Sequence, residues 1–266
     1  APGEPVALEP LTGGVSSDIF KVITPRGAAC IKRALPKLKV AADWQAPVER
    51  NRWEVEWMRV VSAIEPDAVP SILGDDATEG LFAMAFLDAE HHPVWKAQLR
   101  DGIIDPGAAR EVGRRLARIH ATTAADPSMP ERFATDHIFV PIRLEPYLAA
   151  TARAHPELAV PLERLIDTTL SNKRALVHGD VSPKNILVGP RGPVFLDSEC
   201  AWFGDPAFDL AFCLNHLLLK CLWRPQWWPR YLDCFAALHG TYLSRVTWEP
   251  HEALESRIAH LLPGLF

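Results

Sequence analysis

The feature that most constrains the fold is a set of three short apolar segments in the second half of the chain, each bordered by a polar residue. The segments span residues 175–178, 186–188 and 193–196. The Gly-Pro-Arg-Gly run between the last two predicts a hairpin. Asp180 follows the first segment, Asn185 precedes the second and Asp197 follows the third. A carboxylate and an amide thus flank one hairpin, with a second carboxylate on the loop before it, and the three side chains can converge on one point.

These residue types suit a reaction that uses a metal ion. The oxygen atoms of Asp and Asn are hard ligands, and Mg²⁺ prefers one or two protein carboxylates together with the phosphate oxygens of a substrate. An Asp that does not bind the metal is free to accept a proton from an attacking hydroxyl group. Any one of these residues alone would be interpreted as a turn residue that caps backbone N–H groups. The interpretation therefore depends on the complete set.

The motifs around these residues resemble those of a known family. Residues 178–185 read His-Gly-Asp-Val-Ser-Pro-Lys-Asn, and residues 197–199 read Asp-Ser-Glu. These runs resemble the H-G-D-x-x-x-x-N and D-x-(D/E) signatures of the aminoglycoside phosphotransferase and choline kinase superfamily, whose members are distant relatives of the protein kinases. Residues 204–211 are similar to the G-D-P-x-x-D-L-A element of that family. The resemblance extends, with weaker motifs, over residues 11–222.

The resemblance implies an α+β fold with two lobes, like that of the protein kinases. A small β-rich N-lobe is joined to a larger, mainly helical C-lobe. The expected boundaries are residues 1–83 for the N-lobe, 84–88 for a hinge and 89–266 for the C-lobe.

Apolar periodicity is compatible with this fold. Strand-like alternation over residues 11–32 is followed by helical spacing over residues 48–64. Further helices are predicted at residues 106–123 and 158–170, and from Asp205-Pro206 to about residue 222. Residues 126–160 are rich in Pro and lack a period, which predicts a long working loop.

By the same resemblance, each polar residue at the strand ends receives a role. Asp180 is the catalytic base, or the group that orients the acceptor hydroxyl. Asn185 and Asp197 hold Mg²⁺, and Glu199 assists a second ion. The residues expected to support this loop rather than to react are His178 and Asp209.

The N-terminal third supplies candidates for nucleotide binding. Lys32 resembles the strand lysine that contacts the α- and β-phosphates in kinases, and Glu54 resembles its ion-pair partner. Glu56 is an alternative partner, although the spacing from Glu54 to Met58 fits the family better. An isolated Lys–Glu ion pair is usually exposed and contributes little to stability. We therefore expect Lys32→Ala to leave folding nearly unchanged.

Two backbone elements complete the expected nucleotide site. A glycine-containing turn over the phosphates allows close approach of backbone N–H groups. Its candidate residues are Gly13, Gly14, Ser16 and Ser17. A hinge segment reads the adenine base through its backbone, with Leu187 as the floor of the pocket. The hinge residues are Met84, Ala85, Phe86 and Leu87. ATP is the expected phosphoryl donor, with GTP also possible.

Composition excludes several other classes of partner. The formal net charge is -5 and no Lys/Arg-rich run is present, which argues against nucleic-acid binding. Polar residues interrupt the most apolar stretch, at residues 210–222, so it should not cross a membrane. Five dispersed cysteines without a C-x-x-C pair suit reduced thiols, and we expect a cytoplasmic protein.

The acceptor should be a small hydroxylated molecule. Only a few residues separate Asp197 from Gly204, which leaves no room for the activation segment of a protein kinase. Balanced charge over residues 207–266 does not favour a polycationic aminoglycoside, but the acceptor is left open among sugars, amino alcohols and aminoglycoside-like molecules. Several aromatic residues could either stack on the acceptor or belong to the core. They are Trp202, Trp223, Trp227, Trp228 and Tyr231. The alternative to an enzyme is a pseudokinase that binds nucleotide without transferring phosphate.

Overall fold

The computed structural model describes residues 6–11, 14, 16–25, 27–39 and 44–265. The first part of the chain forms a five-stranded antiparallel sheet in the order β1-β2-β3-β5-β4, with helix α1 packed against it. The strands are β1 (Ala7–Pro10), β2 (Ser17–Thr24), β3 (Gly27–Ala34), β4 (Ile72–Asp76) and β5 (Leu81–Ala85). The helix α1 spans Arg50–Ile64. This sheet and α1 are the small β-rich lobe that the sequence predicts.

The pleat of β3 places a lysine on the inner face of the sheet. Side chains alternate between the two faces of a strand, and Cys30, Lys32 and Ala34 share the buried face of β3. Helix α1 covers this face, and its buried side includes Glu54 and Met58. The strand lysine and the helix glutamate therefore point toward each other from two different elements.

The second part of the chain is mainly helical, as expected for the larger lobe. Its helices are α2 (Trp95–Arg100), α3 (Pro106–Ala124), α4 (Met129–Arg132), α5 (Asp136–Phe139), α6 (Ala150–Ala154), α7 (Ala159–Ser171), α8 (Pro206–Trp223), α9 (Trp228–Leu243) and α10 (His251–Gly264). Helices α3, α8 and α9 pack together around the core, and α10 packs on α8. The start of α8 follows the predicted signal, since the Asp205 side chain accepts a hydrogen bond from the Ala207 N–H at 2.9 Å.

Four short strands form the surroundings of the polar residues. They are β6 (Ala175–Val177), β7 (Ile186–Gly189), β8 (Gly192–Phe195) and β9 (Trp202–Gly204). Strands β7 and β8 form the predicted hairpin, whereas β6 pairs with β9, a strand that the sequence did not indicate. Strand β4 was likewise not predicted.

The prediction of a long loop at residues 126–160 is wrong. This segment contains α4, α5, α6 and a π-helical stretch, Val140–Ala149. Its apolar side chains are buried, among them Phe139, Ile142 and Leu148. Pro130 and Pro141 occupy the first turns of α4 and the π-helical stretch, where a missing N–H costs nothing, and Pro146 lies inside that stretch, so prolines do not indicate a loop here.

The membrane and cysteine predictions can also be compared with the structure. No helix in the described ranges is long and apolar enough to span a membrane. All five cysteines are unpaired, and four of them are buried.

Candidate active site

The loop of residues 178–185 leaves β6 and is held at its base by Asp209, in the first turn of α8. The Asp209 carboxylate accepts hydrogen bonds from the backbone N–H groups of His178, at 2.7 Å, and Gly179, at 2.8 Å. Gly179 has a φ of +82°, and a Cβ atom there would lie 2.8 Å from the carbonyl oxygen of Cys200. Asp209 therefore acts as a buried brace for the loop.

His178 is fixed as a neutral ring at the start of this loop. Its Nδ1 accepts a hydrogen bond from the Asp180 N–H at 3.1 Å, so its proton lies on Nε2, which donates to the Leu196 carbonyl at 3.1 Å. Burial lowers the pKa of His178 even though Asp209 and Asp180 favour the charged form. Its ring meets that of Trp57 in α1 edge-on, with centroids 4.8 Å apart. With both nitrogens occupied, His178 orients the loop.

The Asp180 carboxylate is buried between two cations. Its Oδ2 lies 2.7 Å from Nη2 of Arg143 and 3.1 Å from Nζ of Lys184. Arg143 also donates from Nε to the Gly179 carbonyl at 2.6 Å. Burial alone would lower the pKa of the Arg143 guanidinium, but Asp180 raises it above its usual range. One carboxylate oxygen is thus held in place, while Oδ1 has no hydrogen-bond partner within the described part of the chain.

Sequence reasoning missed both of these cations. Lys184 stands inside the quoted motif, at a position that the motif leaves open, and its proximity to Asp180 follows from the four-residue spacing of a tight loop. Arg143 lies in the π-helical stretch of the segment that was predicted to be a loop. No local pattern marks it, because its partner is distant in sequence.

Asn185 precedes β7 and Asp197 follows β8, so both stand at the same end of the hairpin. The Asn185 Nδ2 donates to the Asp180 carbonyl at 3.1 Å, which fixes the orientation of the amide and leaves its Oδ1 as a free acceptor. Of the non-glycine residues in the described ranges, Asp197 alone has a positive φ, 67°. Such a conformation is uncommon and clusters at functional sites, and Asp is one of the residues that tolerate it best.

Lys32 contacts one carboxylate from each lobe. Its Nζ lies 2.7 Å from Oε2 of Glu54 and also contacts Oδ1 of Asp197. Burial alone would lower the pKa of Lys32 and raise that of Asp197, but their mutual attraction shifts both in the opposite direction, so the pair is ionised. The alternative partner, Glu56, instead binds Arg132 at 2.6 Å. Glu54 is therefore the partner of the strand lysine.

Glu199 completes a group of acidic side chains around Asp197. Its Oε2 accepts from Nε of Arg50 at 2.9 Å, and Arg50 also binds the Ser16 carbonyl. One carboxylate oxygen each from Glu54, Asp197 and Glu199 lie within 4.8 Å of one another. This set of carboxylate oxygens is hard and compact, and it fits a divalent cation. Arg50 is a third cation of the site, after Arg143 and Lys184, that the sequence did not indicate.

The proposed phosphate-covering turn is only partly within the described residues. Gly13 lies outside them. Gly14 is half-buried, and Ser16 and Ser17 are buried. The Ser16 carbonyl accepts from the Leu35 N–H at 3.0 Å, which ties the turn to the end of β3. The Ser17 hydroxyl is buried and, within the described part of the chain, has no hydrogen-bond partner.

The proposed hinge lies at the end of β5. Met84 and Ala85 pair with β3, and Phe86 and Leu87 continue beyond the strand toward α2. Leu187 is buried in β7 and forms a β-bridge with Val94, just before α2. Phe82 pairs with Lys32, so Met84 and Ala85 lie two and three residues farther along β5 than the level of Lys32.

The aromatic residues of the C-lobe divide between core and surface. Trp202 and Tyr231 are fully buried. Trp202 stacks on Phe139 with ring centroids 4.2 Å apart. Trp223 and Trp228 are about half exposed, at 51% and 53%. These residues therefore do not form one acceptor-binding surface.

The burial of Lys32 changes the stability expected of its variants. Lys32 is 2% exposed, so Lys32→Met removes the cation beside Asp197 and beside the Glu54 carboxyl, whose pKa burial already raises to about 7. We expect a loss of about 3–5 kcal/mol in the free energy of unfolding, contrary to the expectation from sequence. Urea denaturation measures it.

The double variant Lys32→Met/Glu54→Gln should regain part of that loss, because it removes one of the unpaired charges. Lys39→Met is a suitable control, since its ion pair with Asp18 is exposed and should contribute less than about 1 kcal/mol. A Lys32→Met variant as stable as Lys39→Met would contradict the buried pair.

Comparison with known proteins extends this picture. Residues 7–254 match the family described as "Phosphotransferase enzyme family". Methylthioribose kinase from Klebsiella pneumoniae is 26% identical, with 82% of this chain and 61% of that protein covered. Its counterpart from Erwinia tasmaniensis is 28% identical, with 79% and 59% covered. The chain thus spans about three fifths of the length of these relatives.

A solved structure supports the fold. Choline kinase from Cryptosporidium parvum Iowa II superposes with a TM-score of 0.63 at 13% identity, covering 97% of this chain and 80% of that one. The two-lobed kinase-like arrangement is therefore shared with that enzyme. The family match covers all the polar residues described above, from the strand lysine to the brace in α8, and on this basis the chain belongs to the phosphotransferase enzyme family.

Proposed function

We propose that this protein transfers the γ-phosphoryl group of ATP to a hydroxyl group of a small molecule, with Mg²⁺ as the divalent cation. The observation that carries the proposal is the contact between Lys32 of the N-lobe and Asp197 of the C-lobe, beside the loop that holds Asp180. This junction combines a cation for phosphates, hard oxygen ligands and a carboxylate for the hydroxyl. Family membership and the methylthioribose kinase relatives support the same reaction class.

The nucleotide would lie between the lobes. Lys32, held by Glu54, would contact its α- and β-phosphates, and the turn at residues 13–17 would cover them. The backbone of residues 84–87 would read the base over Leu187, with GTP as a possible second donor. Asn185, Asp197 and Glu199 would hold Mg²⁺, which when bound neutralises phosphate charge.

Asp180 would act on the acceptor. As the hydroxyl oxygen bonds to the γ-phosphorus and the bond to the bridging oxygen of ADP breaks, the hydroxyl proton passes to the Asp180 carboxylate. Arg143 and Lys184 hold one oxygen of this carboxylate, so the other, Oδ1, is the one that faces the hydroxyl. The 178–185 loop and the π-helical stretch thus together fix the orientation of this carboxylate.

The acceptor should be small, such as a sugar or an amino alcohol. Between Asp197 and β9 the chain makes one tight turn, in which the Ala201 N–H donates to the Ser198 carbonyl at 3.0 Å. Strand β9 then pairs with β6 and leads directly into α8. This compact connection lacks the peptide-docking segment of protein kinases.

Nucleotide binding and transfer are tested separately. Thermal shift with Mg-ATP, Mg-GTP and adenosine measures binding, because ligand stabilisation depends on affinity. ADP release with sugars, amino alcohols and aminoglycosides measures transfer. We expect a Mg-ATP shift larger than that of adenosine, and acceptor-stimulated ADP release. Binding without transfer to any acceptor would favour a pseudokinase, and the absence of any nucleotide shift would refute the proposal.

A further inference from the structure

Lys220, on α8, has a mostly buried side chain but no counter-ion within the described part of the chain. The residue is 6% exposed, and no carboxylate or hydrogen-bond acceptor in that part contacts its ammonium group. Its Nζ lies 5.9 Å from the centroid of the Trp223 ring. This nitrogen is not among the side-chain atoms that are both buried and unpaired, so it remains accessible. The ammonium group is therefore open to pairing with an anion.

Lys220 ends a row of side chains that leads away from Asp180. Phe208, Phe212, His216 and Lys220 are spaced four residues apart, so they lie along one face of α8. Ring contacts follow the row, with centroids 5.7 Å apart for Phe208 and Phe212 and 5.2 Å for Phe212 and His216. Tyr147, from the π-helical stretch beside Arg143, packs on Phe212 at 5.6 Å. The row therefore runs along the side of α8 that packs on the segment carrying Arg143.

Positive charge dominates the region around His216. Burial lowers the pKa of His216 to about 4, and the charges of Lys220, Lys184 and Lys96 add to that effect, opposed by Asp180. Lys96 belongs to α2, which packs against the turn that carries Lys184. Three elements thus direct lysines at the region around His216. The Asp180 carboxylate opposes these lysines, but Arg143 already binds it.

Building on the proposed phosphotransferase activity, we propose that the acceptor carries an anionic group, a carboxylate or a phosphate, which pairs with Lys220 while its hydroxyl group lies at Asp180. Lys220 stands one helical turn, roughly 6 Å along the axis, beyond His216. The hydroxyl and the anion therefore belong to opposite ends of the acceptor. Polycations and quaternary ammonium compounds are disfavoured, because they would add positive charge to a region that already has an excess.

The test compares matched acceptors that differ in charge. Gluconate and glucose form the carboxylate pair, and ribose 5-phosphate and ribose form the phosphate pair. Methylthioribose and choline serve as neutral and cationic comparators. For wild type, we expect kcat/KM to be tenfold to hundredfold higher for the anionic member of at least one pair, as a charge-assisted contact predicts. Lys220→Met should abolish this preference and Lys220→Arg should retain most of it, whereas the surface control Lys173→Met, whose partner Asp136 is also exposed, should behave as wild type.

A binding measurement makes the test independent of the choice of acceptor. Inorganic phosphate, added to the Mg-ADP complex, should raise the melting temperature of wild type and of Lys220→Arg but not of Lys220→Met. An equal phosphate shift in all variants, or none in wild type, would overturn the proposal, as would a preference for the neutral or cationic acceptors. A wild-type protein that gives no shift with Mg-ATP refutes the phosphotransferase activity itself, so the two failures are distinguishable.

Discussion

Asp180→Asn is expected to lower kcat by about a hundredfold to ten-thousandfold while changing the affinity for Mg-ATP little. The carboxylate would accept the proton of the acceptor hydroxyl, and an amide of the same shape cannot. The Asp180 carboxylate contacts Arg143 and Lys184, and neither belongs to the expected nucleotide site, whereas the Asn185 amide binds only the Asp180 backbone carbonyl, which the variant keeps. The loss should therefore fall on the transfer step. Single-turnover kinetics and calorimetric titration of Mg-ATP measure the two quantities.

The variant also removes the counter-ion of the buried Arg143, so its stability has to be measured in parallel. Urea unfolding separates a folded but inactive variant from one that is partly unfolded at the assay temperature. Asp136→Asn is a matched control, because this carboxylate is exposed and its partner is a surface lysine, Lys173. If Asp180→Asn loses Mg-ATP binding and turnover in equal proportion, its assignment to the acceptor hydroxyl is wrong.

Asp197→Asn should abolish turnover and weaken Mg-dependent nucleotide binding by more than about a hundredfold, because metal ions bridge the phosphates and neutralise their charge. Asn is the better replacement for this residue. Its side chain tolerates the positive φ of 67°, whereas Ala would add backbone strain to the loss of a ligand. The variant thus isolates the carboxylate charge.

Calorimetry with ATP, in the presence and absence of Mg²⁺, provides the measurement. In wild type, Mg²⁺ should strengthen the binding of ATP, and in Asp197→Asn this dependence should disappear. Adenosine is the internal control, because it carries no phosphate and should bind both proteins equally. Unchanged Mg-ATP affinity in Asp197→Asn would contradict the metal assignment.

Sequence patterns predicted the elements whose signals are local. Helices α3 and α8 have long apolar periods, and α8 also has its Asp-Pro start, so their limits agree with the structure to within a residue or two. The β7–β8 hairpin was predicted from its turn. Strands β4 and β9 are short, and what defines them is pairing with strands elsewhere in the chain, which no window of sequence contains.

The same distinction applies to the site. Asp180, Asn185 and Asp197 stand within one stretch of motifs, so spacing alone was enough to group them. Arg50 and Glu199 are separated by 149 positions along the chain, and Arg143 lies in a segment whose prolines suggested a loop. Lys220 looked like one more polar residue in an apolar helix. Its isolation from any carboxylate is a property of the folded protein.

The ammonium group of Lys32 has a consequence for how the protein is handled. Because it already sits between Glu54 and Asp197, it serves as an internal counter-ion for the acidic group. Folding then needs no bound metal, and the protein should tolerate purification in chelating buffers. A free divalent ion would have to compete with this lysine, whereas an ion that arrives already bound to nucleotide brings phosphates to which the lysine can turn. The site is thereby biased toward the metal–nucleotide complex over the metal alone.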